Sequence, residues 1–512
     1  MTLNETKFKK LYLLVLAFTN GMAIMAVEIS ASRLIAPYFG TSTFVWTNVI
    51  GVIMIALAIG YYLGGKLADK NPDLRLLLKI ILIACLVLLI IPFLTSPLVE
   101  FLNKSILIFK SASLLIFGGS LITVSLLFIL PIVLLGIVSP FIIKLMANLD
   151  PQVGKDAGLV FSVSTFGSIL GTFLPVLIFI PYLGTRKTII AFSLLLIFIC
   201  LIGLFKKNWL AFVLILILPA FWLKLPDIKN AQGAVFEDES VYQYFQVLDK
   251  DNLRNLSINE GLGIFSVLNK KPGEVLTDSY FDYYNLLPYL DGNDINQNIL
   301  ILGLAGGTIS TQLNHFFGND YNLHLDGVEI DQKVIEAAKK YFNLTNPSLT
   351  IYNFDGRNFL DLYNKKYNAI VIDVYANQLY ISFHLTTKEF FTLVKVHLAP
   401  NGVVAMNVNA STQNSALLKN ITNTMNLVFK NVYLVPINNS WNYMVLASDT
   451  DLDFTKLNEL DKINDLKPIV QSAMANNIKV NYDSNFSYLT DDQAPIEHLT
   501  DWMIVDYFYK QK

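Results

Sequence analysis

The chain of 512 residues has few charged residues and almost no cysteine. Asp, Glu, Lys and Arg make up 15% of it against 54% hydrophobic residues, and the formal net charge is −2. Such a balance provides no basic field, so we expect no nucleic-acid partner. Cys85 and Cys200 both lie in apolar runs and offer neither a disulfide framework nor a zinc site. The five histidines are scattered without metal-ligand spacing, and we therefore expect no metal.

The low average charge conceals two unlike halves. A bilayer-spanning helix needs about 20 apolar residues. Apolar runs of this kind lie at roughly 11–35, 43–64, 76–96, 112–146, 157–180, 188–205 and 209–225. Pro131 and Pro140 could kink the long fourth run or divide it in two. The sequence therefore predicts a helical transmembrane domain of seven or eight spans over residues 1–226, embedded in the inner membrane of the cell.

The orientation of these spans depends on their number. Cytoplasmic loops are enriched in Lys and Arg, and cationic residues stand at Lys7, Lys9, Lys10, Lys66, Lys70, Arg75 and Lys79. With a cytoplasmic N-terminus, seven spans place the remainder of the chain outside and eight place it inside. Lys206 and Lys207 favour seven. The cosubstrate inferred below is a cytosolic metabolite, however, and on that ground we expect the catalytic part in the cytoplasm.

The second half has the composition of a soluble α/β chain and divides into two parts. Residues 227–295 contain a strand pair at 235–248 and a hairpin at 253–268, which predicts a small β-module. Residues 296–512 alternate strand and helix patterns. Such alternation predicts a Rossmann-like, doubly wound parallel sheet.

The first strand of this sheet breaks into glycine in the stretch ILILGLAGG, residues 299–307. Gly303, Gly306 and Gly307 allow a ligand to approach the backbone closely. The spacing is not that of a dinucleotide-binding fingerprint, and no Walker lysine follows it. The pattern indicates an adenosine without phosphates, for which adenosylmethionine and its decarboxylated form are the candidates.

Three carboxylates end the next three predicted strands. Ligands of such sheets bind beyond the carboxyl ends of the strands. Glu329 ends the second strand, where a carboxylate can accept both ribose hydroxyls. Asp355, followed by Gly356, ends the third, where it could accept from an adenine amino group, and Asp373 ends the fourth, near the reacting group. Their order at consecutive strand ends favours a nucleoside site.

At these residues the chain resembles the spermidine synthase family, the polyamine aminopropyltransferases. It is most similar to membrane proteins in which a spermidine-synthase-like domain follows transporter-like helices. The resemblance covers the chain, most specifically residues 237–400. Besides the strand ends, it is carried by ESVYQYFQV (239–247), FDYYNLLPYL (281–290), DVYANQLYISFHLTTKEFF (373–391) and LTDDQAPIEHL (489–499).

The resemblance implies that the Rossmann-like sheet is of the adenosylmethionine-dependent transferase type, and it implies roles for individual residues. Gln243 would contact the thioadenosine end of the donor, and Asp373 would be the general base. Tyr283, Tyr284 and Tyr375 would line the acceptor side, although the family usually has His where this chain has Tyr284.

Two acidic positions of the family pattern are missing. Gly306 stands where an Asp would help to hold the amino tail of the donor, and Ala376 replaces the second carboxylate of a D-x-x-D loop. A diamine is a dication whose site gathers carboxylates, so the acceptor site departs from the family pattern more than the donor site.

Three functions remain open on these grounds. In the first, Asp373 deprotonates an amine that takes an aminopropyl group from decarboxylated adenosylmethionine. The second is methyl transfer from intact adenosylmethionine to a membrane-associated acceptor. The third is a transporter with a nucleoside-sensing domain, suggested by Glu28 within the first span and by the charged turn at 60–75. The expected partners are a small amine or a membrane-associated acceptor, the lipid bilayer, and a second copy in a homodimer.

Two features near the predicted site have no assigned role. His384 is a lone histidine in the loop after Asp373, which is more often a packing residue than an acid or base. Asp491, Asp492 and Glu497 form an acidic stretch that could close over the site or remain a solvated turn.

Overall fold

A computed structural model describes residues 3–106, 112–149, 152–205, 225–229, 231–261, 263–290, 295–376, 380–438 and 440–510. Contacts divide the chain into two units. The first comprises Met1–Asn230 with Glu239–Tyr244, and the second comprises Ala231–Asp238 with Phe245–Lys512. Each unit has a hydrophobic core of its own.

The first unit is helical. Its helices are α1 Leu3–Phe39, α2 Thr43–Lys70, α3 Leu74–Ile106, α4 Ala112–Gly136, α5 Val138–Ala147, α6 Val153–Leu174, α7 Ile180–Leu183 and α8 Thr185–Leu204. A π-helical segment, Pro175–Phe179, joins α6 to α7 without a break in the helical path. These elements follow the apolar runs of the sequence closely.

Six segments among the described residues are long and apolar enough to cross a membrane. They are Thr6–Phe39, Thr43–Lys70, Leu74–Leu102, Phe117–Ala147, Val153–Leu183 and Thr185–Leu204. Each overlaps one of the first six predicted runs. The long fourth run forms one candidate span in which α4 and α5 meet at Ile137. The seventh predicted run, 209–225, lies almost entirely outside the described residues.

Small residues bring α1 and α6 into backbone contact. A Cβ atom added at Gly167 would lie 2.0 Å from the carbonyl oxygen of Phe18, and one at Gly171 would lie 2.1 Å from that of Met22. Glycine at such positions lets membrane helices pack closely, because lipid supplies no hydrophobic force to press them together.

The second unit contains two sheets. The small antiparallel sheet has the order β1 Ala234–Glu239, β2 Tyr244–Lys250, β3 Leu253–Ile258 and β4 Ile264–Asn269. The large sheet is formed by β5 Asn296–Leu302, β6 Asn322–Val328, β7 Leu349–Tyr352, β8 Tyr367–Ile372, β9 Leu398–Asn409, β10 Asn431–Pro436, β11 Asn442–Ser448 and β12 Ile478–Val480. Its order is β12-β10-β11-β9-β8-β5-β6-β7.

The large sheet is mixed, where the sequence predicted a parallel one. Strands β5 to β9 pair in parallel, as expected for alternating strand and helix units. Strands β10, β11 and β12 pair antiparallel beyond β9. The β10–β11 pair is antiparallel because the two strands are joined by a short connection, which allows only antiparallel neighbours.

Helices and 3₁₀ segments accompany the strands of the second unit. The helices are α9 Leu287–Leu290, α10 Thr308–Phe317, α11 Gln332–Tyr341, α12 Gly356–Leu362, α13 Lys388–Val396, α14 Ala416–Asn426, α15 Lys467–Asn476 and α16 Ile496–Lys510. The 3₁₀ segments are Tyr280–Leu286, Phe383–Leu385 and Phe454–Lys462. Residues 299–302 of β5 are fully buried, as expected for a central strand covered on both faces.

The order of the parallel strands fixes where a ligand can bind. The chain runs from β5 outward through β6 to β7 and then returns to the other side of β5 as β8. The connections on the two sides of β5 therefore diverge, and a crevice opens beyond the carboxyl ends of β5 and β8. The glycine turn and Asp373 follow these two strands directly.

We expect Gly167→Ala to weaken the α1–α6 contact. The added methyl group would displace the backbone at Phe18, and overpacking of this kind costs about 1–3 kcal/mol of unfolding free energy. Thermal unfolding of the detergent-solubilised protein measures the loss. Gly158→Ala, in the same helix but with no atom within 4 Å of the new Cβ, is the control. Equal effects of the two substitutions would contradict the close packing.

Candidate active site

The glycine turn after β5 brings two strand ends into contact. Gly303 has a φ of +87°, in the left-handed region that favours glycine. A Cβ atom there would lie 2.1 Å from the carbonyl oxygen of Asp373. Any other residue at 303 would therefore push β5 and β8 apart at the predicted site.

Glu329, directly after β6, is held against this turn. Its Oε2 accepts from the backbone N–H of Ala305 at 2.9 Å, and its Oε1 accepts from that of Asp331 at 3.0 Å. The side chain is only 8% exposed, and burial raises the pKa of Glu329 to about 7. Each carboxylate oxygen keeps a further lone pair, so the group can still accept two hydroxyl donors.

Gly306 has no room for a side chain. Its N–H donates to Oγ of Ser266 at 2.7 Å, and an added Cβ would lie 2.7 Å from Cβ of Ser266. Gly307 has a φ of +84° and precedes α10. The turn is thus packed against the small sheet, which explains why a carboxylate is missing at position 306.

Asp355 caps α12. Its Oδ1 accepts from the N–H groups of Arg357 and Asn358, both at 3.0 Å. Oδ2 lies 3.2 Å from Nε2 of His384, and this hydrogen bond is the main cause of the lowered pKa of Asp355. Gly356 begins the helix. The sequence alone assigned no role to His384. The structure shows that it contacts Asp355, a carboxylate predicted for the donor site, from 29 residues away.

Asp373 ends β8 in a network of uncharged donors. Its Oδ2 accepts from the hydroxyl of Tyr280 at 2.9 Å, and its Oδ1 accepts from Nδ2 of Asn407 at 3.1 Å. Burial raises the pKa of Asp373 to about 6, against the opposing effect of both hydrogen bonds. A carboxylate with such a pKa is ionised at neutral pH and is more basic than an exposed aspartate, which suits a general base.

A cleft of about 370 Å³ opens at Asp373. Apolar side chains of the small sheet and of the 3₁₀ segment at Tyr280 form part of its wall. Its polar lining consists of Asn255, Thr277, Ser279, Tyr280, Asp373, Tyr375, Asn407, Asn409, Trp441 and Asn442. The cleft also reaches Ala305 of the glycine turn, so a molecule in it can contact the turn and Asp373 together.

Comparison with known proteins gives a consistent result. A family model described as the spermine/spermidine synthase domain matches residues 290–456. The chain is 31% identical over 294 residues to a probable polyamine aminopropyl transferase of Bifidobacterium longum, a match that spans 53% of this chain but only 64% of the relative. It is 30% identical over 226 residues to the polyamine aminopropyltransferase of Vibrio vulnificus, which covers 73% of that protein. The chain belongs to the spermine/spermidine synthase family.

The similarity extends beyond the second unit in some relatives. Polyamine aminopropyltransferase 2 of Aquifex aeolicus is 22% identical over 466 residues, which cover 85% of this chain and 87% of the relative. Among solved structures, a probable spermidine synthase from Corynebacterium glutamicum superposes with a TM-score of 0.41 at 17% identity, covering 51% of this chain and 97% of that chain.

Tyr283 and Tyr284, predicted for the acceptor side, are not among the residues that line this cleft, and their acceptor role stays a prediction. The hydroxyl of Tyr283 lies 3.1 Å from Oγ of Ser472 in α15, and Tyr284 is fully buried. Tyr280, three residues before Tyr283, contacts Asp373 instead. Tyr280 and Asn407 were missed because they reach Asp373 from 93 and 34 residues away, a proximity that no local pattern of the sequence reveals.

Tyr375 and Gln243 have different surroundings. Tyr375 lines the cleft, where its hydroxyl donates to the carbonyl of Asn407 at 3.1 Å and accepts from the N–H of Asn409 at 3.0 Å. Gln243 clusters with the helical unit, where its N–H donates to Oγ of Ser240 at 3.1 Å. The donor contact predicted for Gln243 stays a prediction.

Part of the acidic stretch near the C-terminus fixes the loop after Asp373. Asp491 accepts two hydrogen bonds from the guanidinium of Arg357, at 2.8 and 2.7 Å, and a third from the hydroxyl of Thr387 at 2.7 Å. The hydroxyl of Tyr380 donates to Asp501 of α16 at 2.8 Å. The charge of Asp491 is therefore balanced by Arg357, and the C-terminal segment holds both ends of residues 380–387.

We expect the unliganded protein to be destabilised by Glu329 as the pH rises. The raised pKa means that the folded state keeps a proton which the unfolded state loses between about pH 4.5 and 7, so unfolding free energy falls across that window. Because Glu329→Gln cannot ionise, it should remove this pH dependence, a difference on the order of 2 kcal/mol between pH 5 and pH 8. Thermal unfolding at pH 5 and pH 8 measures the difference.

Glu336→Gln is the matched control for this measurement. Glu336 lies on the exposed face of α11, where its carboxylate accepts from Nε2 of Gln332. If Glu329→Gln reduced the difference in stability between pH 5 and pH 8 no more than this control does, the buried carboxylate would not be the cause.

Proposed function

We propose that the chain is a membrane-bound aminopropyltransferase, which moves an aminopropyl group from decarboxylated adenosylmethionine to an amine. The main support is the position of Asp373, a carboxylate of raised pKa in a cleft that also reaches the glycine turn. Family membership supports the same chemistry, since relatives carry the name polyamine aminopropyltransferase.

The reaction needs alignment and one proton acceptor. The amine nitrogen attacks the carbon of the aminopropyl group bonded to the sulfonium. A C–N bond forms, the C–S bond breaks, and its electron pair neutralises the sulfur to give methylthioadenosine. The proton lost by the amine passes to Asp373, which Tyr280 and Asn407 hold in place. Positioning supplies most of the remaining acceleration because the sulfonium is already activated.

The donor would lie along the carboxyl ends of β5, β6 and β7. Glu329 has lone pairs left for the ribose hydroxyls, and Gly303 and Gly307 place no side chain at their two positions in the turn. Asp355 and Gly356 would bound the adenine, and Gln243 the thioadenosine end. The described lining of the cleft includes no Lys or Arg that could balance the carboxylate of intact adenosylmethionine. This favours the decarboxylated donor over methyl transfer.

The six apolar helices would hold this enzyme in the inner membrane. They support membrane association by length and composition, since each has at least the roughly 20 residues that a bilayer requires. The acceptor is then either a soluble amine or one that reaches the cleft from the membrane.

Asp373→Asn should lower the rate at least about 100-fold, because general-base catalysis contributes about 10²–10⁴ in rate. Release of methylthioadenosine by the full-length protein, supplied with decarboxylated adenosylmethionine and a set of amines, measures it. Asp320→Asn, in an exposed loop after α10, is the control and should retain activity. An unchanged rate in Asp373→Asn would remove Asp373 as the base. Turnover of intact adenosylmethionine to adenosylhomocysteine alone would replace the proposal by methyl transfer.

A further inference from the structure

The cleft around Asp373 is poor in charge. Asp373 is the one charged side chain among the lining residues that the structure describes, and four asparagine amides accompany it, those of Asn255, Asn407, Asn409 and Asn442. Amides can bind polar groups but cannot neutralise an ammonium. The number of positive charges that the cleft can accept is therefore small.

Two of these amides are already committed to Asp373. Asn407 donates from Nδ2 to Oδ1 of Asp373 at 3.1 Å, and Asn442 donates from Nδ2 to Oδ1 of Asn407 at 2.8 Å. This chain of hydrogen bonds fixes the orientation of the Asp373 carboxylate. It leaves Asn255 and Asn409 as the amides that can face a ligand.

Asn255 has an unused acceptor atom. It lies on β3, is 8% exposed, and its Oδ1 is buried without a hydrogen-bond partner. A buried amide oxygen without a partner is costly, so such atoms commonly mark a missing ligand or water. Since Asn255 lines the same cleft as Asp373, a ligand there can supply the N–H or O–H that this oxygen needs.

We propose that the acceptor is a monoamine whose second polar group is an uncharged hydrogen-bond donor received by Oδ1 of Asn255. This assignment of the acceptor rests on the aminopropyl transfer proposed above. The decarboxylated donor itself brings a sulfonium and an ammonium, so the second ammonium of a diamine would be desolvated without a counter-charge. A monoamine leaves one ammonium for Asp373, and a hydroxyl at its far end satisfies Asn255 without adding charge.

Acceptors of equal chain length test this on the full-length protein with decarboxylated adenosylmethionine. We expect 4-amino-1-butanol to give a kcat/KM for methylthioadenosine release at least about tenfold above that of putrescine, because only the diamine carries a second charge. Asn255→Ala should lower kcat/KM roughly tenfold for the amino alcohol and leave that for butylamine, which has no hydroxyl, nearly unchanged. That selective loss separates binding from a general structural effect.

Asn255→Asp provides the opposite test. A carboxylate of the same shape at this position should raise activity with putrescine and lower it with 4-amino-1-butanol. The control is Asn322→Asp, because Asn322 begins β6 and so lies at the edge of the sheet away from the cleft. This substitution should leave the activity with putrescine and with 4-amino-1-butanol unchanged. Preference of the unaltered protein for putrescine would overturn the monoamine proposal while leaving aminopropyl transfer intact. No methylthioadenosine with any amine would contradict both.

A second inference concerns the helical unit and has independent support. Ion pairs mark one end of its helices: Nζ of Lys10 in α1 lies 3.7 Å from Asp156 in α6, and Nζ of Lys144 lies 2.7 Å from Asp69 in α2. The hydroxyl of Tyr12 donates to the carbonyl of Ile199 at 2.9 Å, which brings the last turns of α8 to the same end. We call this the lysine-rich end.

Residues 225–229 and 239–244 lie at the opposite end of the same helices. Arg33 donates to the carbonyl of Ser240 at 2.9 Å, and the hydroxyl of Tyr38 donates to the carbonyl of Ile228 at 2.6 Å. Arg186, in the first turn of α8, donates to the carbonyl of Pro226 at 2.6 Å. From Lys10 to Arg33, α1 rises about 35 Å, more than the hydrocarbon core of a bilayer.

We infer that residues 225–229 and 239–244 lie on the extracytoplasmic face, because lysine-rich ends of membrane helices are cytoplasmic. The chain is at the lysine-rich end near Leu204 and at the other end by Pro226. The described helices after Leu204 include no further candidate span. Donor and acceptor would then be met outside the cytoplasm, in contrast to the placement that a cytosolic cosubstrate favours.

Cysteine labelling in intact cells tests this side directly. Cys85 and Cys200 are buried, so we expect the unaltered protein to take up little of the label. We expect Tyr242→Cys, at a position 49% exposed, to react with a membrane-impermeant maleimide before lysis. Asn71→Cys, in the turn between α2 and α3 at the lysine-rich end, should react only after lysis. Labelling of Tyr242→Cys only after lysis, or of Asn71→Cys before it, would overturn the inference.

Discussion

The contact between Gly303 and the backbone of Asp373 determines the geometry of the whole cleft. Because residue 303 has no Cβ, the end of β5 can lie against the carbonyl of Asp373, the residue that follows β8. A Cβ atom at 303 would lie only 2.1 Å from that carbonyl oxygen. The glycine turn and the reactive carboxylate are thereby parts of one surface. Glu329, bonded to Ala305 in the same turn, is fixed by this contact as well.

Two buried carboxylates on this surface have different electrostatic situations. Glu329 accepts only backbone N–H groups, and burial raises its pKa to about 7. Asp373 accepts from a phenol and an amide, and its pKa stays near 6. Side-chain donors thus keep Asp373 ionised at neutral pH, as a base requires, while Glu329 gains most from a ligand that supplies hydroxyl donors.

The sequence revealed the parts of this arrangement that follow from local periodicity. Buried apolar runs ending in glycine or a carboxylate predicted β5, β6 and β8 and the residues at their ends. Tyr280, Asn407 and Asn255 were not predicted, because each reaches the cleft from an element whose own pattern is that of ordinary packing. The antiparallel pairs beyond β9 were not predicted either, because the sequence of a short apolar strand does not show whether it runs parallel or antiparallel to its neighbour.

The remaining question is what selects the acceptor, and here the amides matter more than the carboxylate. Asp373 can serve any amine, because its role in the reaction is to receive one proton. Discrimination among amines must come from groups that meet the rest of the molecule. In the described lining these are uncharged, and one of them, Oδ1 of Asn255, lacks a partner. A cleft of this kind penalises a second positive charge more strongly than it rewards any single hydrogen bond, so the charge of the acceptor is the property it discriminates most sharply.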